Sequence, residues 1–143
     1  MGNARYLHLI IKTKTMMYNN LINNGNFGLF FLSLAVGAIF IYHGLPKIKE
    51  AKKMAAGMGW PMEIIMLLGL VEVLGGALMI IGIYAKLAAL CFAIIMVGAI
   101  VMKISKWKVP FSANDKTGWE FDLILLAANI AIFYGVAVYM GTI

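Results

Sequence analysis

The chain has 143 residues, 63% of them hydrophobic and only 13% charged, with a formal net charge of +6. A soluble domain carries roughly 25% charged residues, so a soluble globule is excluded and an integral membrane protein is expected. The basic excess sits in short stretches between apolar runs, where lysines set topology and meet anionic lipid head groups, so nucleic acid is not an expected partner.

Residues 1–26 stand apart from the rest. They carry Arg5, Lys12 and Lys14, then an asparagine-rich stretch, Asn19 to Asn26. We read them as a basic arm lying on the membrane surface, or as partly outside the native chain if Met16 or Met17 is the true start. The membrane domain is expected over residues 27–143.

The first apolar run, residues 27–45, reads FGLFFLSLAVGAIFIYHGL and is ended by Pro46, which lacks the helical N–H donor. Residues 46–62 follow, with lysines, methionines and Trp60 in a pattern suited to a short amphipathic segment in the interface. The second and third runs, residues 63–83 and 84–102, are joined by almost nothing, with Gly82, Tyr84 and Lys86 at the turn. They predict a tight antiparallel hairpin. Residues 103–119 contain Pro110 and a polar turn from Ser112 to Gly118, and residues 120–140 make the fourth run. Each run is about the ~20 residues needed to cross the hydrocarbon core as a helix. The expected fold is all-α, a four-helix transmembrane bundle.

Topology follows from the basic residues. Lys47, Lys49, Lys52, Lys53, Lys103, Lys106, Lys108 and Lys116 fall in the long loops 46–62 and 103–119. The positive-inside rule places both loops in the cytoplasm and both termini outside the plasma membrane.

Glu72 is the residue that packing alone does not explain. It lies in the middle of an apolar run, where a charged side chain costs at least ~2.5 kcal/mol and so faces protein or a wet cavity. Gly69, Gly75 and Gly76 share its helix face and let a neighbouring backbone approach. Glu72 lies nine residues after Glu63, and Asn129 nine after Glu120. Ser33 lies ten residues before the interfacial His43. Counting helix rise from those ends puts all three at one depth. We therefore expect a midplane layer of Ser33, Glu72 and Asn129, with a Glu72–Asn129 hydrogen bond. A protonated Glu72 could equally donate to a bound carbonyl such as a quinone oxygen.

A second polar set gathers at the long-loop face. His43 and Lys47 end the first helix, Lys103 closes the third, and Trp119, Glu120 and Asp122 open the fourth. Acids at helix starts and lysines at helix ends are what the macrodipole favours, which suffices for Lys103 and Asp122. His43 titrates near neutral pH in its free state. Glu72 and His43 are thus the catalytic candidates, and Lys47, Trp119, Glu120 and Asp122 the candidate ligand contacts at the entrance.

The lone Cys91 can form neither an internal disulfide nor a CxxC pair. Two histidines and the lack of cluster-like spacing give no expected metal site. Any redox cofactor would be diffusible or held by a partner. Ala127, Ala131 and Gly135 form a ladder of small residues suited to packing against another helix.

Taken in order, these features resemble the DoxX family of small four-helix membrane proteins. The resemblance rests on His43-Gly44 with Lys47, the Gly59-Trp60-Pro61 turn, and Glu72 with Gly75-Gly76. The Gly82-Ile83-Tyr84 hairpin and Gly118-Trp119-Glu120-Phe121-Asp122 complete it. It implies a four-helix membrane fold and, more loosely, a redox-associated subunit in contact with the quinone pool. One member type is the membrane subunit of thiosulfate:quinone oxidoreductase. Three readings stay open from the residues alone. The first is a quinone-linked oxidoreductase subunit acting with partner redox subunits. The second is a non-catalytic accessory or assembly subunit, and the third a small proton or solute transporter, acting as a homo-oligomer.

Overall fold

The computed structural model describes residues 2–112 and 117–139. It contains α1 (Gly2–Lys49), α2 (Ala51–Met58), α3 (Met62–Ile81), α4 (Ala85–Ser105) and α5 (Trp119–Tyr139), with no strand among the described residues. The chain divides into two compact units, Met1–Phe31 and Leu32–Ile143. In the first, Phe27 and Phe31 meet edge to face, with ring centroids 4.9 Å apart.

By length and composition, Phe27–Lys49, Met62–Ile81 and Ala85–Ser105 are each able to cross a membrane. The 21-residue α5 is as long, and opens with Glu120 and Asp122 in its first turn. The all-α membrane bundle expected from the sequence is therefore present. Its large apolar side chains face outward as lipid-facing groups do, among them Leu67, Leu74, Ile81, Ile94 and Ile124.

Both ends of α1 differ from expectation. Helix α1 begins at Gly2 rather than near Phe27, so the asparagine-rich stretch is helical. It also passes through Pro46 and ends at Lys49. Proline removes only its own N–H and crowds the carbonyl of Tyr42, a loss tolerable so near a helix end. Between the first two membrane helices, the interfacial segment forms α2, closed by Gly59 in the left-handed region (φ 69°). Residues 113–116 of the expected polar turn lie outside the described residues, as does Met140. The hairpin is as expected, with Gly82 at φ 82° and Tyr84 at φ 54° turning the chain from α3 into α4.

Helices α1 and α3 cross on glycine. A Cβ built on Gly76 would lie 2.6 Å from the Gly37 carbonyl oxygen, and one on Gly69 would lie 2.9 Å from that of Gly44. The two glycines on each helix are seven residues apart, and the pairing runs antiparallel. A seven-residue repeat keeps one seam facing the partner helix. Across the bundle, Phe40 of α1 stacks on Phe92 of α4, with ring centroids 3.7 Å apart and an interplanar angle of 7°. Gly75 makes room for that ring, since its Cβ would lie 2.8 Å from the Phe92 Cζ. Val36, Met79, Met96, Leu125 and Ile132 fill the rest of this core. A smaller cluster, Ala51, Ala55 and Ile65, seats α2 on α3.

This packing makes a direct prediction. Gly76→Leu forces side-chain atoms into the α1 backbone and should destabilise the bundle by on the order of 1–3 kcal/mol. Gly98→Leu, where an added Cβ meets nothing within 4 Å, should not lower stability. Melting of the two variants in mild detergent checks both. Equal behaviour would contradict the glycine crossing.

Candidate functional site: a cavity walled by two lysine–carboxylate pairs

At the long-loop end of the bundle, α1, α3, α4 and α5 enclose a cavity of about 690 Å³. Its wall is mostly apolar, with Ile39, Phe40, Leu68, Ile95, Met96, Met102, Phe121 and Leu125. Trp60, at the turn after α2, and Trp107, past the end of α4, stand at the loop end. The polar residues in the wall are His43, Lys47, Glu72, Lys103, Thr117 and Asp122.

Four of these residues form two ion pairs. Lys47 Nζ donates to Glu72 Oε2 at 2.5 Å, with the two side chains 14% and 2% exposed. Lys103 Nζ lies 2.7 Å from Asp122 Oδ2, with exposures of 17% and 9%. Both lysines end a helix at the long-loop face. Helical Cα–Cβ bonds tilt toward the N-terminus, so each ammonium leans back into the bundle. Each meets an acid from a helix running the other way. The ordinary outward snorkelling of a terminal lysine is thereby reversed.

The two sites differ in detail. Lys47 Nζ also donates to the His43 carbonyl at 3.3 Å. Lys103 Nζ donates to the carbonyls of Thr117 and Gly118, at 3.3 Å each, tying the loop to α4. Asp122 Oδ2 is buried and has no partner in hydrogen-bond alignment, so its contact with Lys103 is ionic only. Between the two pairs, the His43 ring stacks on Phe121 with centroids 6.0 Å apart and planes 22° apart.

The structure brings together His43, Lys47, Glu72 and Asp122 from the residues the sequence singled out. Lys103 joins them although charge placement alone seemed to explain it. Trp119 and Glu120 turn away from the cavity. Trp119 packs edge to face on Phe111, at 4.5 Å between centroids, and Glu120 Oε1 accepts from Ser112 at 3.0 Å. These contacts close the loop onto the start of α5.

The expected midplane layer is corrected. Glu72 pairs with Lys47, not Asn129. Asn129 is fully buried and donates to the Leu125 carbonyl at 2.8 Å within its own helix, leaving Oδ1 unpartnered. Ser33 is only half-buried and takes no part in either contact. The error lay in assuming that α3 and α5 start at one level. Gly44 abuts Gly69 while the adjacent His43 abuts Phe121, so Phe121 lies near the level of Gly69. Asn129, eight residues farther along α5, is then ~12 Å beyond Phe121 and, with Glu72 three residues past Gly69, ~7–8 Å deeper than Glu72. The polar layer holds Lys47, Glu72, His43, Lys103 and Asp122, and it lies nearer the long-loop face.

Removing one partner of a buried ion pair typically destabilises by ~3–5 kcal/mol, because the other charge is left uncompensated. Lys47→Gln and Glu72→Gln should each lower the melting point sharply, and the double variant by much less than their sum. Additive losses in a double-mutant cycle would show that the contact is not formed.

No group of three or more His, Cys, Asp or Glu among the described residues is arranged to hold a metal ion. The DoxX family profile matches residues 28–104, which include all of α1 after Phe27, α2, α3 and α4 up to its last residue. A protein of Bacillus subtilis (strain 168) named "Putative oxidoreductase CatD" is 30% identical over 106 residues, covering 72% of this chain and 75% of that one. No solved structure matches the chain. His43, Lys47 and Glu72, which frame one side of the cavity, all fall within the matched segment. The chain is a helical membrane protein and belongs to the DoxX family.

Proposed function

We propose that this chain is a redox-associated membrane subunit whose cavity receives the head group of a quinone, acting with a partner that supplies electrons. The observation that carries the reading is the ion-pair layer set in an aromatic and aliphatic wall. A quinone ring is flat and apolar on its faces and offers carbonyl acceptors at its edges. Phe121, Trp60 and Trp107 suit its faces. The Lys47 and Lys103 ammonium groups suit its carbonyls, because hydrogen bonds from charged donors are the stronger kind. The oxidoreductase name carried by the Bacillus relative agrees with this.

Quinone reduction consumes two electrons and two protons and gives the quinol. The electrons come from an external reductant, either two thiosulfate ions joined through a new S–S bond as tetrathionate, or a partner dithiol closing to a disulfide. This chain's own residues handle the protons. Lys47 with Glu72, and Lys103 with Asp122, each hold an exchangeable proton beside the cavity, and His43 lies between them. The long-loop face is cytoplasmic in this reading, so protons are drawn from that side of the plasma membrane.

A specific observation also favours docking to a partner. Ala127 and Ala131 are exposed on α5, one turn apart, with Gly135 a further turn on. Small residues on an outward helix face let another helix approach closely. The redox partner, or a second copy of this chain, would pack there.

The doubly neutral variant Lys47→Gln/Glu72→Gln removes both charges together and so should keep the fold. In membranes carrying the native partners, it should reduce quinone at background rate when thiosulfate or a dithiol is added. Turnover equal to that of the unaltered chain would reject this role for the pair.

A further inference from the structure

The glycines in the membrane helices of this bundle fall into two kinds. At Gly37, Gly44, Gly69, Gly75 and Gly76, a Cβ would come within 3.0 Å of a neighbouring helix. They serve close packing. Gly98 of α4 differs from these, since a Cβ there meets nothing within 4 Å, as is also so at Gly28 near the start of the span Phe27–Lys49. Yet Gly98 lines the cavity, and it is exposed. Val101, 55% exposed on the outer side of the same helix, lines it too.

The side of α4 involved can be identified. Gly98, Met102 and Lys106 are successive i, i+4 positions along one stripe. Lys106 Nζ donates to the Met58 carbonyl at 2.9 Å, across to the end of α2. Lys103, by contrast, faces Asp122 of α5. The Gly98 stripe therefore lies on the side of α4 that meets α2, away from α5. Helices α3 and α4 are pinned together at the Gly82–Tyr84 turn, and Leu68 of α3 forms the opposite jamb near their other ends. Gly98 lies seven residues before the end of α4, ~10 Å inside the helix end and so at acyl-chain depth.

We propose that Gly98 keeps open a sideways doorway between α3 and α4, through which the cavity communicates with the hydrocarbon of the bilayer. Its ligand is a lipid-soluble amphiphile. The polar head reaches Lys47, His43 and Lys103, and the apolar tail runs out past Gly98 and Val101 into the membrane. Bound water-soluble ions have no use for such an opening, because the lysines lie toward the loop face. The inference rests on the quinone reading for the identity of the head group, but the doorway itself stands on Gly98, Val101 and Leu68. Gly98 is a specificity-determining position in this account, not a catalytic one.

The test uses the whole chain in lipid nanodiscs and two probes, a decyl-tailed benzoquinone and the same ring without a tail. Trp60 and Trp107 in the cavity wall report binding through fluorescence quenching. Gly98→Leu places bulk in the doorway from a Cβ that meets nothing within 4 Å, and melting checks its fold. The expected result is a roughly tenfold or greater loss of affinity for the tailed probe, with the tailless probe changed by about twofold or less. Equal losses for both probes, or no loss for either, overturn the doorway. If neither probe binds the unaltered chain, the quinone head group is wrong, and the doorway is judged by a second readout. In a Trp107→Phe/Trp119→Phe background, phospholipids with brominated acyl chains should quench Trp60. Reduced quenching after Gly98→Leu supports a doorway open to lipid tails, and unchanged quenching overturns it.

Discussion

The crossing of α1 on α3 at paired glycines is the contact on which the rest of the structure depends. Gly37 lies against Gly76, and Gly44 against Gly69, with no side chain between the backbones. This approach sets the register of the two helices and delivers Lys47 to Glu72. Within lipid no hydrophobic force draws helices together, so close packing and interhelical polar contacts must do it. Here both occur along one seam. The ion pair sits one turn from a glycine contact, since Lys47 follows Gly44 by three residues and Glu72 follows Gly69 by three.

The second pair repeats the arrangement on the other two helices. Lys103 closes α4 and Asp122 opens α5, so a helix C-terminus again presents an ammonium to a buried acid. Both pairs agree with the helix macrodipoles, lysines at the C-terminal ends and Asp122 at an N-terminal one. A charge inside a membrane protein is costly unless it is paired or hydrated, and a pair bordering a cavity can exchange its partner for a ligand. An apolar wall with a few convergent polar groups is the usual make-up of a small-molecule site. That combination favours a head group with edge acceptors and apolar faces over a free ion.

Much of the fold was legible in the sequence because the bilayer restricts the alternatives. Apolar runs of about twenty residues can span only as helices, and the Gly82–Tyr84 turn left α3 and α4 no room to be anything but a hairpin. The helical state of residues before Phe27 was not legible, since asparagine-rich composition suggests a linker. Pro46 misled in the opposite sense, because a proline near a helix end stops less than one in its middle.

The candidate site was legible in part. Glu72 announced itself by the cost of its burial, and His43 and Lys47 by their place at the end of the first membrane helix, on either side of Gly44. Its partner was misread because depth was counted from helix starts, whereas tertiary contacts such as His43 on Phe121 place α5 deeper. Asp122 was named only as an entrance contact and its pairing with Lys103 was passed over, because the macrodipole accounts for a lysine and an acid at those helix ends equally well whether or not they meet. Sequence spacing gives no distance between helices, so this pairing required the structure.

The central claim is that the cavity holds a membrane quinone between its two ion pairs. The most direct measurement is native mass spectrometry of the chain purified gently from its source membrane, with chemical identification of what is bound. The account expects about one quinone per chain, together with an oxidoreductase partner, and loss of that quinone when both pairs are neutralised together, by Lys47→Gln with Glu72→Gln and Lys103→Gln with Asp122→Asn. A chain that emerges with no quinone, or one whose quinone content is indifferent to those replacements, would contradict it.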